Sequence, residues 1–249
     1  MNQRPDTLFD VPSEAAAGLL DGLNPQQRAA VVHHGGPLLI VAGAGSGKTR
    51  VLTHRIAYLL AERKVTPGQI LAITFTNKAA GEMKQRVAAL VGPRARSMWV
   101  STFHSMCVRL LRYESKAVGL KSSFSIYDAD DSRRLVTLVG RELDLDPKRY
   151  PARSLAAQVS NLKNELVTPD AWADKASTAQ EKVLADVYTR YQLRLREAHA
   201  LDFDDLIMTA VDLLQGNAEV AEKYRRRFRH VMVDEYQDTN HAQYMLVRE

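Results

Sequence analysis

The feature that most constrains this chain is a glycine-rich loop that joins a short apolar run to a helical pattern. The run 38–41 predicts a strand buried on both faces, and the spacing of apolar residues over 49–61 predicts an amphipathic helix. Between them lie glycines at 43, 45 and 47, followed by Lys48 and Thr49. Glycine lets backbone N–H groups surround a phosphate, and the start of a helix adds partial positive charge. The loop therefore predicts a nucleoside triphosphate site in which Lys48 reaches the β and γ phosphates and Thr49 binds Mg²⁺.

Details of the loop favour a triphosphate site over two alternatives. A turn that only connects a strand to a helix could be rich in glycine, but it has no use for Lys48 followed by Thr49. A dinucleotide-binding loop would need its third glycine where Lys48 stands. The loop departs from the usual triphosphate pattern at its first position, where alanine replaces glycine. The predicted phosphate-binding residues of the loop are Ala42, Gly43, Ala44, Gly45, Ser46, Gly47, Lys48 and Thr49.

A pair of acidic residues far along the chain supplies what such a loop needs on its magnesium side. The apolar run 231–233 predicts a core strand, and Asp234 and Glu235 follow it directly. Asp234 is predicted to bind Mg²⁺ together with Thr49, and Glu235 to activate the attacking water, which indicates hydrolysis. Ordinary solvated acidity at the end of a strand is the alternative explanation. The long separation of Asp234 from Lys48 requires an inserted subdomain if their strands lie in one sheet.

Strands and helices alternate along the first part of the chain. Apolar runs at 70–73 and 98–100 predict two further strands, and helical patterns follow them at 78–90 and 104–113. Residues 113–200 are mostly helical in pattern, with one predicted strand at 124–127. Strand–helix repetition of this kind is typical of a parallel sheet with right-handed crossovers. The predicted fold class is therefore α/β, a parallel sheet into which a mostly helical subdomain is inserted.

Composition and charge fit a globular protein of a reducing compartment. Of 249 residues, 45% are hydrophobic and 25% are charged, which is close to the globular average. The formal net charge of +5 permits a nucleic acid partner without requiring one. Cys107 is the only cysteine, so an intramolecular disulfide is excluded. Because residues 1–21 lack the features of a secretory signal and no apolar run could span a bilayer, we expect a cytoplasmic protein.

Three segments of the chain together resemble one family of enzymes. These segments are 23–27 (LNPQQ), 42–50 (AGAGSGKTR) and 234–239 (DEYQDT), and in combination they are similar to superfamily 1 DNA helicases of the UvrD/Rep/PcrA branch. The resemblance covers residues 23–249. It implies a RecA-like P-loop NTPase sheet, ATP and Mg²⁺ as cofactors, single-stranded or tailed duplex DNA as partner, and 3′ to 5′ movement in DNA repair or replication.

The resemblance also implies a division of the chain into domains. The acidic composition and the prolines at 5 and 12 predict a flexible acidic tail over 1–21, and the resemblance makes residues 22–112 the first part of RecA-like domain 1A. Residues 113–200 would form the helical insertion, called 1B, and residues 201–249 would return to domain 1A.

Three further nucleotide-site residues follow from the resemblance. Gln27 would hydrogen-bond the adenine edge, Arg50 would lie near the base and sugar, and Gln237 would sense the γ-phosphate. Gln27 has a structural explanation as well, because Asn24, Pro25 and Gln27 form a capping box for a helix. Both roles are compatible. The predicted catalytic residues are Lys48, Asp234, Glu235 and Gln237.

Two loops after predicted strands resemble the DNA-binding motifs Ia (74–80) and Ib (101–104) of the family. Aromatic side chains of such loops stack on bases, and polar groups contact phosphates. Phe75 and Phe103 have core positions as their alternative explanation. Segment 202–206 resembles another family segment near the ATP site, to which no individual role is assigned. The predicted DNA-binding residues are Thr74, Phe75, Asn77, Thr102, Phe103 and His104.

The densest run of basic residues, 223–230, could follow DNA phosphates. A charged run on a helix that precedes a strand is more often a solvated face, and we favour that interpretation. The histidines lack metal-ligand spacing, so we expect no zinc site.

The position at which the sequence ends shapes the expected activity. In the family, a second RecA-like domain supplies arginine fingers, which raise turnover by about 10³–10⁵. Because the chain ends soon after Asp234 within a helical pattern, we expect a fragment that binds nucleotide weakly, hydrolyses it poorly and does not unwind DNA alone. The alternative functions are a helicase–nuclease subunit of the same superfamily and a P-loop kinase or nucleotide switch without DNA stimulation.

Overall fold

A computed structural model describes residues 18–43 and 45–249 of the chain. Most of the predicted acidic tail, 1–21, lies outside the described residues, and so does Ala44. The chain forms two compact units. The first unit contains Met1–Ser101 and Arg227–Asp234, and the second contains Thr102–Arg226 and Glu235–Glu249. The predicted domain boundaries after residues 112 and 200 do not coincide with the limits of these units and stay a prediction.

The helices and strands follow one another along the described chain as α1 Pro25–Val32, α2 Lys48–Ala61, β1 Ile70–Thr74, α3 Asn77–Val91, β2 Trp99–Thr102, α4 Phe103–Tyr113, β3 Ser125–Tyr127, α5 Ala129–Glu142, α6 Ala152–Asn164, α7 Pro169–Ala173, α8 Ala179–Glu197, β4 Ala200–Asp202, α9 Phe203–Gly216, α10 Ala218–Arg227, β5 His230–Val233 and α11 His241–Arg248. Short 3₁₀ turns occupy Pro67–Gln69, Gly92–Ser97 and Tyr236–Asp238. Within the described part of the chain, no helix is both long and apolar enough to cross a membrane.

The first unit is built on a sheet with the strand order β2-β1-β5. Strands β1 and β5 are parallel, with Ile70 opposite His230 and Ile73 opposite Val233. All five residues of β1 are buried, as expected of a central strand covered on both faces. Helices α2 and α3 contribute Ile56, Met83 and Val87 to the same core cluster. The strands predicted at 70–73, 98–100 and 231–233 are confirmed, and so are the helices after the first two.

The prediction of a buried strand at 38–41 is wrong. The run has no regular secondary structure, and the side chains of Leu39 and Val41 are 68% and 86% exposed. Among the described residues, β1 has β2 on one side and β5 on the other, so neither edge of this central strand is open to the run. An apolar run becomes a strand only where a neighbouring backbone accepts its hydrogen bonds, and composition does not reveal that neighbour.

The second unit is mostly helical. Strands β3 and β4 form a short parallel pair in which Ile126 lies opposite Leu201. Helices α5, α6 and α8 pack around a core that includes Val139, Val159 and Tyr188. The predicted helices at 130–143, 154–166, 180–197, 205–214 and 220–228 are confirmed within a few residues, and the strand at 124–127 is confirmed over Ser125–Tyr127. Strand β4 and helix α7 escaped prediction, because β4 ends in an aspartate after only two apolar residues and the five residues of α7 are too few to show a helical period.

Candidate functional site

The glycine loop of the first unit turns through backbone conformations that favour glycine. Gly45 has a φ of +76° and Gly47 a φ of +85°, both in the left-handed region. Helix α2 begins directly after the loop, at Lys48. The Lys48 ammonium donates to the carbonyl of Ala42 over 2.9 Å, and the Ser46 hydroxyl donates to the carbonyl of Gly43 over 2.6 Å. The Lys48 side chain therefore folds back along the glycine loop, beside the N-terminus of α2.

Two predicted magnesium ligands lie together in the first unit. The Thr49 hydroxyl, in the first turn of α2, is 3.3 Å from Asp234 Oδ2, although the two residues are 185 positions apart. Asp234 is placed by the sheet, because its backbone N–H donates to the carbonyl of Ile73 over 2.9 Å and continues the β1–β5 ladder. A hydroxyl and a carboxylate are the oxygen ligands that Mg²⁺ prefers. The residues present thus fit a Mg²⁺ site.

Gln27 joins helix α1 to the glycine loop. Its backbone N–H donates to Asn24 Oδ1 over 2.8 Å, and its Oε1 accepts from the Asn24 N–H over 3.1 Å, which confirms the predicted capping box. The other end of the same amide, Nε2, donates to the carbonyl of Ser46 over 2.9 Å. Both polar atoms of the side chain are thus engaged, so an adenine contact would require at least one of these bonds to be exchanged. Arg50 lies nearby, with its guanidinium against Gly22.

Glu235 and Gln237 belong to the second unit and contact each other. Glu235 has a φ of +53°, which is unusual for a residue with a side chain. The 3₁₀ turn Tyr236–Asp238 follows, and within it the Gln237 amide donates to Glu235 Oε2. Backbone strain of this kind clusters at functional sites. Asn240 then caps helix α11, and its side-chain amide donates to Asn164 Oδ1 of α6 over 2.7 Å.

The predicted DNA-binding residues of the first unit differ in exposure. Thr74 is buried, and its hydroxyl donates to the carbonyl of Thr76 over 3.0 Å. Phe75 is 36% exposed, and Asn77 is exposed at the start of α3. Thr76 caps that helix by accepting from the N–H of Ala79. Phe75 and Asn77 are therefore accessible to a ligand, whereas Thr74 shapes the loop.

In the second unit, the residues at the start of α4 have separate roles. Thr102 caps the helix by accepting from the Ser105 N–H over 3.2 Å. Phe103 is only 1% exposed, so the structure supports its alternative as a core residue and not its prediction as a base-stacking residue. His104 is partly exposed, and burial lowers the pKa of its imidazole, which favours the neutral ring at pH 7.

An exposed aromatic residue that the sequence did not single out lies beside His104. Phe203, the first residue of α9, is 45% exposed, and its ring centroid is 5.4 Å from that of His104 at an interplanar angle of 69°. The two side chains form an edge-to-face pair. The sequence carries no signal that separates Phe203 from the buried Phe103, because each is the first residue of a capped helix.

The basic run 223–230 is largely paired with other groups. Lys223 lies 2.6 Å from Glu114, Arg226 lies 2.6 Å from Glu222, and Arg225 lies 3.4 Å from Glu249. Arg227 lies over the ring of Trp99, 4.7 Å from its centroid. Exposed pairs of this kind stabilise little, but they neutralise much of the charge that DNA phosphates would need. The structure agrees with the interpretation of this run as a solvated face.

The sheet, the glycine loop before α2 and the carboxylate at the end of β5 define the class of P-loop α/β domains. The family model described as the UvrD/REP helicase N-terminal domain matches residues 23–249. The chain therefore belongs to the UvrD/REP helicase family, which confirms the resemblance seen in its motifs and the RecA-like fold class that it implied.

Curated relatives give the same assignment. A protein named "ATP-dependent DNA helicase UvrD1" from Mycobacterium bovis is 66% identical over 235 residues, which are 93% of this chain and 30% of the relative. The UvrD1 of Mycobacterium leprae is 62% identical over 243 residues, covering 96% of the chain and 31% of the relative. "ATP-dependent DNA helicase PcrA" from Bacillus subtilis is 53% identical over 231 residues, with 93% and 31% covered. The chain thus spans about 30% of the length of these relatives.

Proposed function

We propose that this protein is a DNA-dependent ATPase that moves along single-stranded DNA, 3′ to 5′, and unwinds tailed duplexes. The observation that carries the proposal is the 3.3 Å approach of the Thr49 hydroxyl to Asp234 beside the glycine loop. A phosphate-binding loop and a carboxylate at the end of a neighbouring strand are the two halves of a magnesium–triphosphate site. The names of the relatives, which are ATP-dependent DNA helicases, support ATP and DNA as the substrates. A cytoplasmic location is part of the proposal.

Each residue of the nucleotide site has a role in the proposal. The loop from Ala42 to Thr49 surrounds the phosphates, and Lys48 exchanges the Ala42 carbonyl for the β and γ phosphates. Thr49 and Asp234 hold Mg²⁺, which neutralises phosphate charge when it is bound. Gln27 and Arg50 contact the base and sugar. An arginine finger is expected from a second domain of the kind that the family uses, because the P-loop residues alone leave charge on the γ-phosphate unopposed.

Hydrolysis requires a base and a sensor, which we assign to the loop after Asp234. Glu235 accepts a proton from the water that attacks the γ-phosphate, and the water oxygen forms the new bond to phosphorus as the bond to ADP breaks. Gln237 reports on the γ-phosphate. In the structure its amide already donates to the Glu235 carboxylate, so the proposed sensor and base are in direct contact.

The accessible side chains of the proposal are assigned within each unit separately. Phe75 and Asn77 are exposed groups of the first unit, and His104 is a partly exposed group of the second, next to buried Thr102, which caps α4. We add Phe203 because its exposed ring is paired with His104. Stacking of a base on an aromatic ring contributes about 1–3 kcal/mol and tolerates any sequence, which suits a motor that must pass along every base.

Magnesium-dependent nucleotide binding tests the site. A fluorescent ATP analogue is titrated into the complete gene product with and without Mg²⁺, for the wild type and for Asp234→Asn. We expect Mg²⁺ to tighten binding about tenfold in the wild type, equivalent to about 1.4 kcal/mol, and to have little effect in the variant. Asp186→Asn, which changes an exposed carboxylate on α8, is the matched control and should behave as the wild type. Retention of the Mg²⁺ effect in Asp234→Asn would remove Asp234 from the site.

A further inference from the structure

One lysine of the second unit is completely buried. Leu155, Val159 and Lys163 follow each other at intervals of four along α6, so the lysine occupies the third position of an apolar stripe. Its ammonium lies 2.6 Å from Asp202 Oδ2 and 2.8 Å from Asp205 Oδ1. Burying an ammonium without partners is very costly, so a lysine at this position is tolerated only because two carboxylates meet it.

The two aspartates are saturated with hydrogen bonds. They form the capping box of α9, in which Asp202 Oδ1 accepts from the Asp205 N–H over 2.8 Å and Asp205 Oδ2 accepts from the Asp202 N–H over 3.3 Å. The Tyr191 hydroxyl donates to Asp202 Oδ2 over 2.8 Å, and Gln192 Nε2 donates to Asp205 Oδ1 over 3.1 Å. The Lys163 ammonium also lies 4.9 Å from the centroid of the Tyr191 ring. All four carboxylate oxygens therefore have a donor, and the turn is fixed from α6 and α8.

The charges of this cluster are unequal. Burial opposes ionisation of Asp202, but the ammonium of Lys163 and the hydrogen bonds around it lower the pKa of this carboxyl below its ordinary value. Burial dominates at Asp205 and raises the pKa of its carboxyl to about 6, against the opposing effect of Lys163. Both carboxylates contact the Lys163 ammonium, and Asp202, the residue that caps α9, is the nearer of the two.

Phe203 lies between the two aspartates of this cluster in the sequence. Asp202 and Asp205 lie on either side of it, and its own ring projects to the surface against His104. A stacking residue binds more tightly when its backbone and side chain are already in place, because less conformational freedom is lost on binding. The buried cluster of Lys163, Asp202 and Asp205 holds in place the helix start that carries the exposed Phe203 ring.

We propose that Lys163 is a positioning residue for single-stranded DNA, which acts by holding the Asp202–Asp205 turn so that Phe203 and His104 form a fixed stacking surface. The proposal rests on the proposed function. Lys163 itself is fully buried and touches no ligand; its effect is transmitted through Asp202 to the first turn of α9.

The test measures the concentration of a thymidine oligonucleotide that gives half-maximal stimulation of ATP hydrolysis by the complete gene product. Lys163→Met keeps the length and apolar surface of the side chain and removes its charge. We expect this variant to need about tenfold more DNA, the order of one lost base stack, while the KM for ATP and the kcat at saturating DNA stay within about twofold. Lys175→Met removes an exposed lysine of the same unit and should leave all three quantities unchanged.

A double-mutant cycle separates positioning from general stability. In a Phe203→Ala background, Lys163→Met should cause no further increase in the DNA requirement, because its effect passes through the Phe203 ring. The proposal would be overturned if Lys163→Met raised the DNA requirement by the same factor in the Phe203→Ala background as in the wild type. An unchanged DNA requirement in the single Lys163→Met variant would also overturn it. Circular dichroism at the assay temperature establishes that each variant is folded.

A milder variant keeps the proposal testable if Lys163→Met fails to fold. Tyr191→Phe removes one hydrogen bond to Asp202 and leaves the ion pair in place. It should raise the DNA requirement about two- to fivefold, the effect of one hydrogen bond of roughly 0.5–1 kcal/mol, and an unchanged requirement would refute the proposal.

If DNA does not stimulate the wild type at all, the proposed function fails. That outcome differs from a stimulated wild type with an unaffected variant, in which only the role of Lys163 fails.

Discussion

Replacing Gly47 with alanine tests the conformation of the phosphate loop and its contact with Gln27. Gly47 has a φ of +85°, a region that costs a residue with a side chain about 1–2 kcal/mol. A Cβ at this position would lie 2.9 Å from Gln27 Nε2, so the amide must move and its bond to the Ser46 carbonyl is lost. That bond is exposed and contributes about 0.5–1 kcal/mol. Alanine recovers about 0.4–1 kcal/mol by restricting the unfolded chain, which leaves a net destabilisation of about 1.5 kcal/mol.

Gly45→Ala is the matched control. Gly45 also has a positive φ, +76°, but no described atom lies within 4 Å of its added Cβ. Only the strain of the positive φ remains, offset in part by the restricted unfolded chain, so we expect about 0.8 kcal/mol of destabilisation. In a Gln27→Ala background the difference between the two alanine variants should disappear, because the contact that distinguishes them is absent.

Urea unfolding of this chain, followed by tryptophan fluorescence, measures these differences. Trp99 is buried in the first unit, with its ring centroid 5.0 Å from that of Phe228, and it reports on the unit that contains the loop. A Trp172→Phe background removes the second tryptophan, which lies in the other unit. Equal destabilisation by Gly45→Ala and Gly47→Ala in the presence of Gln27 would refute the contact between Gln27 and the loop.

Three further predictions follow from local features. Glu235→Gly should raise the free energy of unfolding slightly or leave it unchanged, because it relieves a φ of +53°, yet it should abolish ATP hydrolysis in a turnover assay. The raised pKa of Asp205, about 6 against 3.8, means that protonated Asp205 stabilises the fold below pH 4 and that this contribution is lost as the pH rises through 6. The advantage of the wild type over Asp205→Asn in melting temperature should therefore shrink from pH 4 to pH 7. Phe103→Ala should lower the free energy of unfolding by about 3–5 kcal/mol in urea titrations, as a core truncation does, whereas a small effect would contradict its burial.

The elements that local patterns could predict are the ones that local forces form. Helix α2 and strand β1 were predicted because apolar spacing and glycine positions are short-range signals. The phosphate loop and the acidic end of β5 were equally visible, since both are motifs of consecutive residues. The prediction of a strand at 38–41 was wrong because strand formation depends on a distant partner. The apolar side chains of this run carry no information about which strand, if any, pairs with its backbone.

Two phenylalanines show where sequence information ends. Phe103 and Phe203 each begin a helix directly after a short strand, and each follows a capping residue. One is 1% exposed and the other 45%, because exposure depends on what packs against the start of the helix. The Lys163 cluster is similar. A lysine in an apolar stripe signals a buried partner, but the partner Asp202 is 39 residues away and only the fold identifies it.

DNA stimulation of ATP hydrolysis tests the central claim most directly. The rate of phosphate release by the complete gene product is measured with and without a thymidine oligonucleotide, for the wild type, Lys48→Ala and Asp234→Asn. The proposed motor predicts a several-fold faster rate with DNA in the wild type and loss of hydrolysis under both conditions in the two variants. Equal rates with and without DNA, or hydrolysis that persists in Lys48→Ala, would contradict it and would favour a nucleotide switch or kinase built on the same loop.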